Sequence, residues 1–262
     1  MKQSLSAVLG TIALVAGATC SAQSDYPARP VTVIVPWQAG GNIDLVARVT
    51  AQAMQKQSGR TFLVENAPGA GSMIGTQRVA SAKPDGYTLL WGSSSAFVIL
   101  PHLSSNVKYH PVNSFETIGG VGGAPYLLVM NVESAPKTLR EFVAHVRANP
   151  GKLSYGTPGT GSSPHVANEA MLTAIGSKAL HVPFKGSQDM ISAVLRRDVD
   201  WIIDFANGTL PQVKAGKFRV IAATSAKRVP ELPDVPAIQE VPELAGLDRK
   251  STRLNSSHVK RS

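Results

Sequence analysis

Tyr155-Gly156-Thr157-Pro158-Gly159-Thr160-Gly161-Ser162-Ser163-Pro164-His165 follows a short apolar run and opens a helix pattern. Its glycines let the backbone turn tightly and bring N–H groups close to a ligand. Ser163 reads as an N-cap and Pro164 as the first helical residue, where its missing N–H costs nothing. Val166, Ala167, Ala170, Met171, Ala174 and Ile175 then recur at helical spacing. A helix N-terminus fed by such a loop offers free N–H donors and a partial positive charge, which suit an anion. The spacing from Gly156 to Gly161 opens like a P-loop, but Ser162 stands where the lysine should be, which argues against nucleotide hydrolysis. A carboxylate, which needs only a few N–H and O–H donors, fits better, and Ser162, Ser163 and His165 stand where they can add them. The alternative is a plain strand-to-helix connection with no ligand.

Moving outward, the same alternation repeats on both sides. Residues 31–35 read as a buried β-branched strand, and Pro36-Trp37-Gln38-Ala39-Gly40-Gly41 as the loop after it, with Asn42 capping the next helix. A second strand at 62–65, a glycine-rich loop at 66–71, a helix at about 72–81 and a strand at 87–91 ending in Gly92-Ser93-Ser94-Ser95 complete a β-α-β-α-β unit. That order implies a parallel sheet with helices on both faces. After a break near 111–125 the alternation restarts. Strands are expected at 126–130, 153–156, 181–184, 199–205 and 218–223. Thr138-Leu139-Arg140-Glu141 reads as a capping box, and a short helix is expected at 210–215. Ligands in such sheets gather beyond the carboxyl ends of the strands, where the small-residue loops lie. Two α/β lobes whose loops converge on a cleft describe a hinged binding protein.

The ends differ from the body. Lys2 and the apolar run 5–18, followed by Cys20-Ser21-Ala22, read as a signal peptide spanning 1–22, cleaved after Ala22. Cys20 as a lipoprotein cysteine fits Gly17 and Thr19 poorly. Residues 248–262 are polar, lack apolar periodicity and look like one reading frame of a common sequencing adapter, so they are expected to be a non-native tail. Five of the 26 basic and one of the 17 acidic residues fall there, so the formal charge of +9 shrinks to +5 without it. That mild excess gives no case for nucleic acid.

In order along the chain, Tyr26-Pro27, Arg29-Pro30, Pro36, Gly40-Gly41 with Asp44, Ala47-Arg48, Pro68-Gly69-Ala70-Gly71 and Lys83-Pro84-Asp85-Gly86-Tyr87 resemble the Bug family. So do Pro150-Gly151-Lys152-Leu153, Tyr155-Gly156, Gly161-Ser162, His165, His181-Val182-Pro183, Lys185-Gly186, Asp204 and Leu232-Pro233-Asp234-Val235-Pro236. Members of this family are periplasmic solute receptors of tripartite tricarboxylate transporters. The resemblance covers about residues 26–247 and implies an α/β, two-lobed periplasmic-binding-protein type II fold. Each lobe is then a mostly parallel sheet flanked by helices. Residues 23–124 form the first lobe, with 224–247 returning to it, and 125–223 the second. The family's last part of the first lobe has no counterpart before residue 248, so an incomplete first lobe is expected.

The resemblance further implies a monomer that binds a small carboxylate between its lobes: a di- or tricarboxylate, an acidic amino acid or an aromatic acid. It would deliver this solute to integral-membrane transporter subunits, without cofactor or metal. The family loop Pro-Phe-Pro-Pro-Gly-Gly reads Pro36-Trp37-Gln38-Ala39-Gly40-Gly41 here, which changes the pocket wall. Expected ligand contacts are Trp37, Gln38, Gly40, Gly41, Asp44, Ser94, Gly159, Thr160, Gly161, Ser162, His165 and Asp204. Asp44 reads equally as a brace for the first loop or as a favourable charge in a helix's first turn. Asp204, in an apolar run, must face the cleft or bond a neighbour. No nucleophile elbow is present, which weighs against a secreted hydrolase, whereas a ligand sensor would use the same closing lobes.

Overall fold

The computed structural model describes residues 26–123, 125–245 and 247. The expected signal peptide, Cys20 and the tail at 248–262 lie outside the described residues. Two sheets organise the rest. The first has β1 (Val31–Val35), β2 (Phe62–Asn66) and β3 (Thr88–Leu90) in the order β2-β1-β3, all parallel. The second has β4 (Tyr126–Asn131), β5 (Ser154–Thr157), β6 (Leu180–Pro183), β7 (Trp201–Phe205) and β8 (Phe218–Ala223) in the order β6-β5-β7-β4-β8. Helices α1 (Asn42–Ser58), α2 (Met73–Ala80) and α3 (Leu100–Leu103) belong to the first sheet's part of the chain. Helices α4 (Leu139–Ala148), α5 (Ser163–Ala174), α6 (Ser187–Arg196) and α7 (Ala206–Lys214) belong to the second.

The β-branched run of β1 makes it the central strand, and four of its five residues are buried. In the second sheet β4 is buried throughout, as expected of a strand covered on both faces. One face carries a core of Phe142, Tyr155, Met171 and Trp201, and the other a core of Met190, Val194, Ile202 and Phe218. Trp201 meets Phe142 edge to face at 5.2 Å and donates its indole N–H to Asn168 at 2.7 Å. The tryptophan therefore contributes apolar area without stranding its one polar atom.

β4 runs antiparallel to both its neighbours, β7 and β8, while β5, β6 and β7 are mutually parallel. The reversal places the first residue of β4, Tyr126, opposite Phe205 at the last position of β7. Tyr126 thus sits at the same end of the sheet as the carboxyl ends of the parallel strands.

Four expectations need correction. Residues 224–247 do not return to the first lobe. Ile238, Val241 and Leu244 join the core around Tyr126 and Trp201, and Ala223 bridges Ala237, because these apolar side chains find their cover on the second sheet. The cap of α5 is Ser162, not Ser163: Ser162 is in the extended region and its Oγ accepts the N–H of His165 at 3.3 Å, three residues on. Asn42 is the first residue of α1, after Gly41, and makes no side-chain cap. The capping box at α4 is half as read. Thr138 Oγ1 accepts from Glu141 N–H at 3.2 Å, but Glu141 reaches back to the N–H of Lys137.

Candidate ligand-binding site

The loops beyond the carboxyl ends of β1, β2 and β3 meet those beyond β5, β6 and β7. At α5 the N-terminus faces the first sheet. Ser163 N–H donates to Ser95 Oγ at 3.1 Å, and Ser163 Oγ lies 2.7 Å from Ser94 Oγ. Gly159 and Gly161 hold φ of 119° and 79°, which the turn before the helix requires. Gly161 N–H donates to His165 Nδ1 at 3.3 Å, so the ring proton of neutral His165 resides on Nε2. Gly71, with φ of 63°, presses on Thr160: a Cβ there would stand 2.3 Å from the Thr160 carbonyl oxygen. Glycine is thus what lets the two loops approach.

A second set of contacts involves the β1–α1 loop. Gln38 lies flat on Gly186, where a Cβ would stand 2.3 Å from Gln38 Oε1 and 2.7 Å from Gln38 Cβ. Gln188 Nε2 donates to the Gly40 carbonyl at 3.4 Å, and the Asn207 amide donates to Asn42 Oδ1. Between them is a cavity of about 270 Å³, lined in part by Gly40, Gly41, Asn42, Ser187, Gln188 and Gly208. Asp44 holds the loop in place. One carboxylate oxygen takes Gly40 N–H at 2.9 Å and Arg48 Nε at 3.0 Å, and the other takes Asn66 Nδ2 at 2.8 Å. Burial works to raise its pKa, but the bonds from Arg48, Gly40 and Asn66 outweigh this and hold it below the usual value.

Asp204 is 2% exposed at the end of β7. Its Oδ1 accepts from Ser187 Oγ at 3.1 Å, while Oδ2 is buried without a hydrogen-bond partner among the described residues. Burial pushes its pKa up to about 6, against smaller opposing effects of the Phe205 N–H and the Ser187 hydroxyl. Tyr126 connects the two contact regions: its ring packs at a tilt against Phe205, with centroids 4.3 Å apart, its hydroxyl interacts with Ser163, and it feels the Asp204 charge. Burial, the largest effect, raises the Tyr126 pKa, so this hydroxyl stays protonated. Among the described residues, Trp37 Nε1, Gln38 Oε1, Ser72 Oγ and Ser93 Oγ are also buried without a hydrogen-bond partner. Each belongs to a loop that follows β1, β2 or β3.

Behind α5 runs a column of rings. His165 stacks on His181 at 4.2 Å, His181 on Tyr155 at 5.2 Å, and Tyr155 on Trp201 at 5.7 Å. Burial lowers the pKa of both histidines, and for His181 the nearby His165 adds to it.

The structure therefore brings Ser94, Gly159, Thr160, Gly161, Ser162 and His165 to one contact region, and Gln38, Gly40, Gly41 and Asp204 to the other. Asp44 has both oxygens engaged in bracing the first loop, which is one of the two roles its sequence position allows. Trp37 lies on that loop with its indole N–H buried. Sequence reading passed over Tyr126, Gly71, Asn207 and Gln188. Glycine-rich 66–71 carried a signal for Gly71. Nothing in the apolar run 126–130 set Tyr126 apart from an ordinary core residue. Among the described residues no cluster of His, Cys, Asp and Glu is placed to hold a metal ion.

A family model described as "Tripartite tricarboxylate transporter family receptor" matches residues 46–249. Among solved structures, the periplasmic binding protein BugD is 37% identical with a TM-score of 0.79, over 85% of this chain and 74% of its own. A Rhodopseudomonas palustris protein solved with adipate is 29% identical (TM-score 0.79), over 84% of this chain and 74% of its own. MatC of the same organism, solved with bound malate, is 30% identical (TM-score 0.75), over 84% and 75%. The chain spans 63 to 72% of the length of the first curated relatives that it matches.

Proposed function

This chain belongs to the receptor family of tripartite tricarboxylate transporters, and from that membership we propose that it binds one small carboxylate between its two lobes. Acting in the periplasm, it hands the solute to the integral-membrane subunits of such a transporter. The observation that carries this reading is the meeting of Ser94, Ser95 and Ser163 at the N-terminus of α5. Three hydroxyls from both lobes converge there on the start of a twelve-residue helix. A carboxylate inserted among them accepts hydrogen bonds from both sides and lies on the positive end of the helix. It thereby links ligand binding to lobe closure, since only the closed form presents both sets of donors. Gly159, Thr160, Gly161, Ser162 and His165 complete that end of the site. Trp37, Gln38, Gly40, Gly41 and Asp204 form the other, with Asp44 fixing the loop that carries them. Relatives solved with adipate and malate fit this chemistry.

The test is a thermal-shift panel of succinate, malate, adipate, citrate, glutamate and benzoate on the full chain. A ligand at a hundredfold excess over its Kd stabilises the folded form by about 2.7 kcal/mol, a shift well above the noise of the method. A rise in Tm with at least one acid, abolished by Ser94→Ala with Ser163→Ala, is expected. Neither serine's hydroxyl makes a helix-cap bond, so the double variant is expected to keep its fold. A folded protein that responds to no acid would refute the carboxylate assignment.

A further inference from the structure

Two histidines hold the turn that carries Gly159 and Gly161 from behind. Gly161 N–H donates to His165 Nδ1 at 3.3 Å. Thr157 Oγ1 accepts the Gly159 N–H at 3.2 Å and lies 2.6 Å from His181 Nε2. One imidazole, on the first turn of α5, thus fixes the end of the turn, and the other, on β6, fixes its start. The rings stack on each other 4.2 Å apart. They respond differently to a proton. A protonated His181 still donates to Thr157 Oγ1, whose own proton then turns to the Gly159 carbonyl, 3.3 Å away. A protonated His165 sets a donor at Nδ1 against the Gly161 N–H, and a buried residue loses its hydrogen-bond acceptor.

We infer that His165 is a positioning residue whose neutral ring keeps the solute-binding turn in shape, so that protonating it loosens the receptor's hold on its carboxylate. The inference rests on the carboxylate reading above and adds how that end of the site responds to acid. Thr160 and Ser162, assigned there to the solute, are the chain neighbours of Gly161. The titratable groups facing the two rings are Tyr155 on β5, which stacks on His181, and the exposed Glu169 further along α5, which accepts the Tyr155 hydroxyl proton. From the first lobe, the apolar Leu100 and Leu103 face Gly161. Glu169 favours charging of both rings, but burial outweighs it at each, and at His181 the neighbouring His165 opposes charging too. The rings are therefore mostly neutral near pH 7, and affinity should fall as pH drops through the folded pKa of His165. A bound anion pulls the other way, since it favours a charged ring nearby, so the sign of the pH dependence decides between the two effects.

The full chain is titrated calorimetrically at about pH 7.5 and about pH 5 with the acid, of succinate, malate, adipate, citrate, glutamate and benzoate, that most raises its Tm. His165→Asn keeps an acceptor near the place of Nδ1 but does not titrate, and His165→Leu keeps none. On acidification Kd should rise about 3-fold to 10-fold more for the parent than for His165→Asn. At the higher pH His165→Leu should bind about 10-fold more weakly than His165→Asn. The titrations of the acid itself and of Asp204 are common to parent and variant and cancel in the comparison. In the unliganded chain the NMR resonance of the Gly161 amide should move with the titration of the His165 ring. Equal pH profiles for parent and His165→Asn, or a Gly161 amide that ignores the ring, overturn the inference and leave the carboxylate reading standing. Tighter binding in acid that His165→Asn abolishes also overturns it, since the ring would then act as a cation towards the solute. If no acid binds the folded protein, the carboxylate reading falls and the inference with it, even where the amide follows the ring.

Discussion

Replacing Asp204 by asparagine should change how the stability of the unliganded protein depends on pH. The side chain is 2% exposed, and burial is the main reason that its pKa is about 6 against an ordinary 3.8. The folded chain therefore keeps this proton to higher pH than the unfolded chain does. The favourable contribution is fully present below the unfolded value and is lost as pH rises through the folded one. A tenfold change in proton affinity is worth about 1.4 kcal/mol, so the roughly hundredfold change here amounts to about 3 kcal/mol. Between about pH 4 and about pH 8 roughly 2 to 3 kcal/mol of this is expressed, because the unfolded group is already partly ionised at the acid end. Asparagine keeps the shape and an acceptor for Ser187 but does not titrate. Urea unfolding of both proteins at the two pH values gives the stability difference at each. The variant should gain on the parent by that amount on going from acid to alkaline conditions. A difference that stays constant across the range would refute the buried, unpartnered carboxylate.

Three further outcomes follow from the geometry. Gly71→Ala places a Cβ 2.3 Å from the Thr160 carbonyl at a φ of 63°. It should weaken acid binding by at least about tenfold while costing the unliganded fold only about 1 to 2 kcal/mol, read by titration and urea unfolding. Trp201→Ala removes a fully buried ring from the core with Phe142 and strands Asn168, so unfolding free energy should drop by about 3 to 5 kcal/mol. The rings of His165 and His181 should titrate below the ordinary 6.5 by NMR, burial being the main cause for each. Because these folded pKa values are depressed, the pair costs stability as pH falls through the ordinary value, opposite in sign to Asp204. A midpoint at or above the ordinary value for both rings would contradict the stack.

Much of the molecule is legible in the chain because local chemistry specifies it. Val31 to Val35 can hardly be anything other than a buried strand. Gly159 and Gly161 announce a turn with positive φ, and the apolar spacing after Pro164 announces α5. Phe218–Ala223 lies where its β-branched and apolar run puts it. The apolar setting of Asp204 already required a buried carboxylate, and the Gly-rich loop before α5 already suggested an anion. What the local pattern left open is as instructive. Ser162 and Ser163 are equally good caps by residue type, and the extended dihedrals of Ser162 decide between them. Ile238, Val241 and Leu244 declare that they are buried but not against which sheet, since apolar burial has no address. Asp44 carries the same charge whether it favours a helix dipole or clamps a loop, and only the positions of Gly40, Arg48 and Asn66 show the clamp.

Taken alone, the sequence determined the α/β alternation, the loops at the strand ends, the anion-friendly start of α5 and the family to which the chain belongs. Each of these depends on residues near one another in the chain or on ordered motifs. Strand direction does not, because an apolar run such as Tyr126–Asn131 reads alike in either sense and hydrogen bonds pair it both ways. Only the tertiary structure decided that β4 runs against its neighbours, which carries Tyr126 to the loops of the parallel strands and sets it between Ser163 and Asp204. Only the packing of the two lobes decided that Gln38 and Asp204, 166 positions apart in the chain, flank Gly186 and Ser187 together.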